Sequence, residues 1–300
     1  MTKDEELILD RIIRGITKDK SIRFFAIDAT ETVQEAVQIH HLSMTNAVIM
    51  GRMLSATLMM AADSKSAENL ITLKIDGDGP CGHALVTARK NGNVKCYTKH
   101  PEIELPINEL TKTFDIQNAI GSGTLTIIKD LGMKNPYVGQ IELKYSTIAK
   151  DLTYYFAQSE QIPSSVGLGV LVMPDGTIKK AGGFIIQVLP QTPEEVISQI
   201  EENLAKFPNL TDMMDLGHSI ENLMSKFILK GLEPQIKETS PVMYKCDCTK
   251  EKFEDGIKLL SKKELQEAID TNETLTIHCH FCNTDYNFDK IKIKKILEQM

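Results

Sequence analysis

Four cysteines in the last sixty residues have the residue type and the spacing of a metal site. They form a Cys-x-Cys pair, Cys246 and Cys248, and a Cys-x-x-Cys pair, Cys279 and Cys282, separated by 30 residues. Zinc prefers four soft ligands in a tetrahedron, and four thiolates complete that shell without leaving a position for a substrate. Two close pairs joined by an intervening segment are typical of such sites. The pattern predicts one structural zinc per chain.

The other histidines and cysteines that could take part are weaker candidates. His278 and His280 flank Cys279. Because four thiolates already complete the shell, we expect both histidines to lie outside it, with His280 better placed to donate a hydrogen bond. Cys81 and Cys96 are isolated in the first third of the chain, and we expect them to be buried as small apolar residues.

Composition restricts the class of protein. The chain has 300 residues, 42% of them hydrophobic, which fits two domains or one large core with an appendage. Its 41 acidic and 34 basic residues give a net charge of −7, which discourages binding to nucleic acid. Residues 241–300 carry ten lysines, no arginine and eleven acidic residues, so the cysteine-rich segment is not basic either.

Neither a secretory signal nor a membrane helix is expected. The first six residues, MTKDEE, lack the charged and apolar regions of a signal peptide. Residues 44–62 are apolar enough to suggest a membrane span, but Arg52 at their centre costs about 2.5–3.5 kcal/mol to insert. A buried core helix is the better interpretation, and we expect a cytoplasmic protein that contacts no membrane.

The elements that must position these residues divide the chain into three predicted segments. Residues 1–190 alternate strands and helices and indicate a mixed α/β core. Asn91-Gly92 favours a two-residue type I′ hairpin turn, which would place Cys96 opposite Thr87. The predicted elements are a strand over 22–27, helices over 32–39 and 44–62, strands over 70–75, 83–88, 94–98, 123–129 and 139–145, a helix over 147–161, and strands over 168–173 and 178–189.

Residues 191–235 are predicted to form a helical middle region, which is amphipathic and free of strand patterns from Thr192 to Leu229. Thr192 is expected to cap a helix with Pro193 at its first position, continuing to about Lys206. A second helix is predicted over 211–229. The region is either a packing element or a connector whose apolar face can be hidden or exposed.

Residues 236–300 are predicted to form the small zinc-binding domain. Ser261 and Glu264 make a capping box for a short helix, a strand follows at 274–278 with its partner near Tyr286, and Asp289 caps a last helix. A unit of this size has a thin core and commonly depends on a metal.

Over essentially its whole length, the chain resembles the heat-shock protein 33 family, the redox-regulated holdase chaperones of the bacterial cytosol. Both cysteine pairs match the zinc site of that family. Cys96 is a departure, because it stands where the family tends to have glycine. The strings that carry the resemblance in the core are 121–126 (GSGTLT), 129–132 (KDLG), 135–140 (NPYVGQ), 155–163 (YFAQSEQIP), 167–170 (GLGV) and 181–184 (AGGF).

The resemblance implies a chaperone, not an enzyme, that is inactive while reduced and zinc-bound. Oxidation by peroxide or hypochlorous acid would form disulfides, release zinc, loosen the middle region and expose surface for unfolded or oxidatively damaged client proteins, with homodimerisation on activation. We expect the pairings Cys246–Cys248 and Cys279–Cys282. A bridge between the two pairs would restrict the unfolded domain by about 3–4 kcal/mol and hold it together, whereas near-neighbour bridges impose no tertiary constraint.

Two other functions are alternatives. A thiol-disulfide oxidoreductase using Cys279 and Cys282 would need a thioredoxin-like βαβ unit beside them, and the pattern there indicates a hairpin and a helix. A zinc-ribbon protein that binds nucleic acid would need a basic surface.

Overall fold

The chain folds into two compact units, Met1–Tyr244 and Lys245–Met300. The computed structural model describes residues 10–108, 113–298 and 300. The first six residues, on which the expectation of no secretory signal rests, lie outside that range. The division into 1–190, 191–235 and 236–300, drawn from the sequence pattern, stays a prediction.

The first unit contains helices and strands in mixed order. In chain order they are β1 (Arg11–Thr17), β2 (Ile22–Asp28), α1 (Thr30–His40), α2 (Met44–Ala62), β3 (Leu70–Gly77), β4 (His83–Arg89), β5 (Asn93–Thr98), β6 (Ile107–Asn108), β7 (Thr113–Phe114), α3 (Ile116–Ile120), β8 (Gly123–Asp130), β9 (Tyr137–Glu142), α4 (Ala149–Tyr155), a π-helical turn (Phe156–Glu160), β10 (Ser164–Val172), β11 (Ile178–Val188), α5 (Glu194–Lys206), α6 (Leu210–Asp215), α7 (Ile220–Leu223), a second π-helical turn (Met224–Ile228), β12 (Pro234–Pro241) and β13 (Met243–Tyr244). This arrangement confirms the mixed α/β fold class.

Two sheets form the body of this unit. The five-stranded sheet has the order β10-β11-β2-β1-β12 and is antiparallel throughout. The six-stranded sheet has the order β13-β5-β4-β3-β8-β9, in which β13 alone runs parallel to its neighbour. Because side chains alternate along a strand, Ile12 and Ile13 of β1 enter two different hydrophobic cores.

Helix α2 lies at the centre of the larger core. It packs against strands of both sheets, and nearly all of its residues are buried. The helix begins where the Ser43 side chain accepts a hydrogen bond from the Asn46 amide. The prediction of a buried core helix is confirmed. Among the residues that the structure describes, no helix combines the length and apolarity needed to cross a membrane.

The helices of the middle region cover the other face of the five-stranded sheet. Ile13, Phe24 and Phe184 project from that face. They form a second core with residues of α5 to the second π-helical turn, among them Ile200, Met213, Met214, Ile220, Leu223 and Met224. The amphipathic face predicted for the middle region is therefore hidden in this structure.

Two predictions about these helices are wrong in detail. Helix α5 starts after Pro193, and the Thr192 side chain does not cap it. The Thr192 hydroxyl donates instead to the carbonyl oxygens of Ser21 and Leu189, at 2.8 and 2.7 Å, so it fastens the loop to the sheet.

The second error concerns the helix predicted over 211–229, which is interrupted. α6 ends at Asp215, and Gly217 adopts a left-handed conformation with φ 88°. Ser219 then caps α7 by accepting a hydrogen bond from the Asn222 amide. Glycine reaches positive φ without strain, which allows the chain to turn here.

The β4–β5 hairpin also differs from its prediction. The Gly92 amide donates to the Arg89 carbonyl oxygen at 3.1 Å, and Gly92 has φ 84° while Asn91 stays at negative φ. This is a three-residue loop ending in a left-handed glycine, not a two-residue type I′ turn. The extra residue shifts the register, so Cys96 faces Val86 and not Thr87.

The second unit has a small core of its own. It contains α8 (Lys250–Ile257), α9 (Lys262–Asp270), β14 (Leu275–Cys279), β15 (Thr284–Phe288) and α10 (Lys290–Glu298). The predicted capping box of α9 is confirmed, because Ser261 and Glu264 each accept a hydrogen bond from the backbone amide of the other. The buried residues of this core are Ile257, Leu265, Ala268, Ile269, Phe288, Ile293 and Ile296.

Candidate metal centre

The first cysteine pair lies in the extended segment that leads into α8. Cys246 and Cys248 are both half-buried. Immediately after them, the Thr249 side chain accepts a hydrogen bond from the Lys252 amide and caps the helix. Lys252 reaches back to the Asp247 carboxylate at 3.1 Å. These two contacts anchor the end of the segment that carries the cysteine pair to the start of α8.

The second pair lies on the turn between β14 and β15. Cys279 is the last residue of β14 and is buried, and its carbonyl oxygen accepts hydrogen bonds from the amides of Cys282 and Asn283, at 3.3 and 2.8 Å. Asn283 has φ 56°, a left-handed conformation that asparagine tolerates better than most residues. The tight turn brings both sulfur atoms of the pair to the same side.

The four sulfur atoms form a compact cluster. Each Sγ of Cys246, Cys248, Cys279 and Cys282 lies within 4.8 Å of the other three. The Sγ atoms are 3.8 Å apart between Cys246 and Cys279 and 3.2 Å apart between Cys248 and Cys282. A tetrahedron with zinc–sulfur bonds of about 2.3 Å has edges of about 3.8 Å. The donor atoms therefore fit a tetrahedral metal ion bound by four thiolates.

The thiols of this cluster differ in acidity. Burial raises the pKa of Cys246 and of Cys282 above that of an ordinary thiol. Burial acts in the same direction on Cys248, but hydrogen bonds from the Tyr286 hydroxyl and from neighbouring thiols outweigh it and lower the pKa to about 7. The Tyr286 oxygen lies 3.2 Å from the Cys248 sulfur, and this hydrogen bond raises the pKa of Tyr286.

Neither flanking histidine belongs to the cluster. His278 faces Asp285 across the β14–β15 hairpin, and its Nδ1 atom lies 2.7 Å from the Asp285 carboxylate. The His278 and His280 rings are in edge contact, with centroids 5.0 Å apart. Tyr286 was expected only as a strand residue, and nothing in its spacing from the cysteines indicated the contact with Cys248.

The other two cysteines lie in the first unit and are buried, as predicted. The Cys81 sulfur lies 3.3 Å from the Asn46 side-chain oxygen. Burial raises the pKa of Cys96 to about 12, so this thiol stays protonated. Both are packed into the larger core, and neither has the exposed, acidic thiol of a reactive cysteine.

Comparison with known proteins places the whole chain in one family. The family model described as Hsp33 protein matches residues 10–289. A "33 kDa chaperonin" of Clostridium perfringens (strain SM101) is 45% identical over 97% of this chain and 92% of its own length. One from Bacillus pumilus is 39% identical over 97% of this chain and 99% of its own length.

A solved structure agrees with these sequences. The crystal structure of the 33 kDa chaperonin, a heat shock protein 33 homologue, from Thermotoga maritima superimposes with a TM-score of 0.87 at 34% identity. The match covers 96% of this chain and 98% of that one. On the strength of the fold, the cysteine cluster and these matches, the chain belongs to the Hsp33 family.

Proposed function

We propose that this chain is a redox-regulated holdase chaperone, which binds unfolding proteins and prevents their aggregation during oxidative stress. Membership of the Hsp33 family makes it a chaperone and not an enzyme. Redox regulation is supported by the cluster of four thiols, which lies in a small unit of its own. We propose that it acts in the bacterial cytoplasm, where the reducing environment keeps such thiols reduced in the absence of oxidative stress.

In the reduced state, Cys246, Cys248, Cys279 and Cys282 would hold one zinc ion per chain. A bound zinc ion keeps its ligands deprotonated and supplies about 10–16 kcal/mol of folding free energy in small domains. The core of the second unit consists of a few residues from short elements, and a core of this size contributes only about 3–5 kcal/mol. The fold of this unit would therefore depend on its four thiolates.

Oxidation by peroxide would change the sulfur atoms in two balanced steps. A thiolate attacks one oxygen of hydrogen peroxide, the oxygen–oxygen bond breaks, and the products are a sulfenic acid and hydroxide. The thiolate of the neighbouring cysteine then attacks that sulfur and expels a second hydroxide, leaving a disulfide. Each pair loses two electrons, and two protons convert the two hydroxides to water.

The pairings we propose are Cys246 with Cys248 and Cys279 with Cys282. The reduced cluster does not favour them by distance, because all four sulfur atoms are near one another. Their short connectivity favours them instead. Near-neighbour bridges remove the ligands without tying the two halves of the unit together, whereas a bridge such as Cys248–Cys282 would stabilise it.

Unfolding of the second unit would then expose a surface that binds client proteins. We propose that residues 1–190 act as the chaperone core, 191–235 as the responsive middle region and 236–300 as the switch. The apolar residues of α5 to α7 are buried against the five-stranded sheet, so their release would expose a surface for unfolded chains. We further propose that the active form is a homodimer.

The alternative functions have less support. Cys279 and Cys282 lie on the turn of an antiparallel hairpin followed by α10, whereas a thioredoxin-like enzyme places such a pair in a βαβ unit. The balance of charge over residues 241–300 does not favour nucleic acid.

Aggregation of a heat-unfolded client protein tests the proposed function. Peroxide-treated chain should suppress light scattering by the client, and reduced zinc-loaded chain should not. Treatment with a thiol reductant and zinc should reverse the effect. Equal suppression by both forms would contradict redox control, and no suppression by either would contradict holdase activity.

A further inference from the structure

Strand β12 is the last strand of the five-stranded sheet and covers the outer edge of β1. It pairs with β1 over almost its whole length, from Arg11 opposite Pro241 to Thr17 opposite Pro234, with one irregularity after Arg14. On its other side, β12 has no strand neighbour among the described residues. Its chain continues through β13 and reaches the cysteine-rich unit a few residues later.

The side chains of β12 contribute little to holding it in place. Residues 235–239 are all exposed, including Ile236 at 44%. The ion pair of Glu238 with Arg14 is long, at 3.8 Å, and the Glu233–Lys18 pair just before the strand is exposed. Exposed pairs of this kind stabilise weakly. The backbone hydrogen bonds to β1 are the main attachment.

Strand β1 does not need β12 in order to remain a strand. It also pairs with β2 along Arg11 to Ile16. Ile12 and Ile13 are buried in the cores on opposite faces of the sheet. If β12 detached, β1 would stay in position and present a row of unpaired amide and carbonyl groups, which is a template for another strand.

We infer that this β1 edge is a client-binding site, at which an extended segment of an unfolded polypeptide replaces β12. The inference rests on the proposed chaperone function and adds where and how a client binds. Pairing to a sheet edge uses main-chain hydrogen bonds, which every polypeptide can make. Since β12 itself occupies the edge with exposed side chains, the edge places few demands on the sequence of its occupant. That tolerance suits clients of unrelated sequence.

Hydrogen exchange in β1 tests the inference on the full chain, with reduced and carboxymethylated α-lactalbumin as a permanently unfolded probe. In the reduced chain, residues 11–17 should be protected. After peroxide treatment, the amides that face β12 should exchange about tenfold faster or more, and the probe should restore their protection. Amides that pair with β2 should change little and serve as an internal reference.

Three other outcomes would overturn the inference, and each has a different consequence for the proposed function. If the probe binds but the β1 amides stay unprotected, clients bind elsewhere and the proposed function survives. If the probe does not bind at all, the proposed function fails as well. If protection returns without the probe as the protein concentration rises, the occupant of the edge is a second copy of this chain.

A covalent lock provides a second measurement. Arg14 is half-buried, Glu238 is exposed, and the two lie directly opposite each other. Opposite residues in antiparallel strands have Cα atoms about 4.5–5.5 Å apart, which suits a disulfide. We expect Arg14→Cys/Glu238→Cys, with the bridge verified by mass mapping, to lose client binding at least about tenfold after peroxide treatment. Arg14→Ser/Glu238→Ser removes the same ion pair without a bridge and should bind normally.

The middle region must be followed in the locked protein, because the bridge could also restrain it. Residues 192–229 should still lose protection on oxidation while client binding is lost. Normal binding by the locked protein would overturn the inference. If the bridge also keeps residues 192–229 protected, the locked protein does not separate the two regions. The inference then stands or falls on whether the probe restores the protection of β1 in the unlocked chain.

Discussion

Cys248 differs from the other cysteines of the cluster because a tyrosine hydroxyl reaches its sulfur. Tyr286 projects from β15, and its ring also packs on Phe253 of α8, with centroids 4.7 Å apart. The same side chain therefore belongs both to the small core of the second unit and to the surroundings of the sulfur cluster. Packing of the hairpin against α8 and placement of the first cysteine pair are linked through this one residue.

Serine substitution tests the assignment of the four ligands. Each of Cys246→Ser, Cys248→Ser, Cys279→Ser and Cys282→Ser should lower the zinc content of reduced, gel-filtered protein below one ion per chain, because a hydroxyl is a far weaker zinc ligand than a thiolate. His278→Gln and His280→Gln are the controls and should retain one zinc. Loss of zinc in a histidine variant, with retention in a cysteine variant, would show that the ligand set is different.

Asp10 should make the stability of the first unit depend on pH. Its carboxylate is buried and accepts hydrogen bonds from the amides of Glu31 and Thr32, at 3.2 and 2.6 Å. Burial outweighs these hydrogen bonds and raises the pKa to about 6. The folded state therefore favours the protonated form of Asp10. Its contribution to the free energy of unfolding is complete below the unfolded pKa of about 3.9 and is lost as the pH rises through about 6.

Asp10→Asn should remove this dependence. Relative to the parent chain, its free energy of unfolding should increase as the pH rises from about 4 to about 6, by at most about 3 kcal/mol, as measured by urea denaturation. Asp175→Asn is the control, because hydrogen bonds from Thr177 lower the pKa of that exposed carboxylate. A difference between the parent and Asp10→Asn that did not change with pH would show that Asp10 is ionised throughout this range.

Among the elements, α7 is held on the sheet by its buried apolar side chains and by a two-pronged ion pair. The Nε and Nη2 atoms of Arg11 on β1 each donate to a carboxylate oxygen of Glu221, at 2.9 Å. Both side chains are about one third exposed or less. Planar pairs of this kind are stronger than ordinary surface ion pairs. The contact helps to fix the middle region over the face of the sheet that it hides.

Glu221→Gln should loosen the middle region. We expect a loss of about 1 kcal/mol in the free energy of unfolding, and client binding by the oxidised chain at a lower temperature. The matched control is Glu202→Gln, which breaks a pair with Lys206 in which both side chains are more than half exposed. The control should cost less than Glu221→Gln, because exposed ion pairs stabilise weakly. Equal effects of the two substitutions would mean that the Arg11 contact has no special role.

At the scale of the molecule, the two units should differ in their dependence on metal. The first unit has two large hydrophobic clusters. The second has one small cluster and the four thiols. Large cores can stabilise a fold unaided, while small units commonly rely on a metal. Removing the metal should therefore affect the second unit first.

Chelation of zinc from the reduced chain tests this difference by hydrogen exchange. Residues 245–300 should lose protection, while the amides of α2 and of the central strands of both sheets should keep theirs, and added zinc should reverse the change. Persistent protection of 245–300 without metal would show that the small core is sufficient. The same measurement after peroxide treatment should show residues 192–229 losing protection as well, if the two regions are coupled as proposed.

The sequence alone was enough for features that depend on local spacing. The four cysteines were recognisable because metal ligands must stand at short, fixed separations. The buried helix over 44–62 and the Ser261 capping box were predicted correctly, because apolar composition and helix capping act within a few residues. Long strings shared with the Hsp33 family gave the fold class, which the comparisons confirm.

Contacts between distant parts of the chain were decided only by the tertiary structure. Strands β1 and β12 were not predicted, because β1 is apolar toward both faces and β12 exposes its side chains, so neither shows a simple alternation. The register at Cys96 depended on one extra residue in the β4–β5 loop. The link between Tyr286 and Cys248 likewise required the hairpin to be folded. Backbone pairing can be made by almost any sequence, so β12 could be recognised only once β1 was in place beside it.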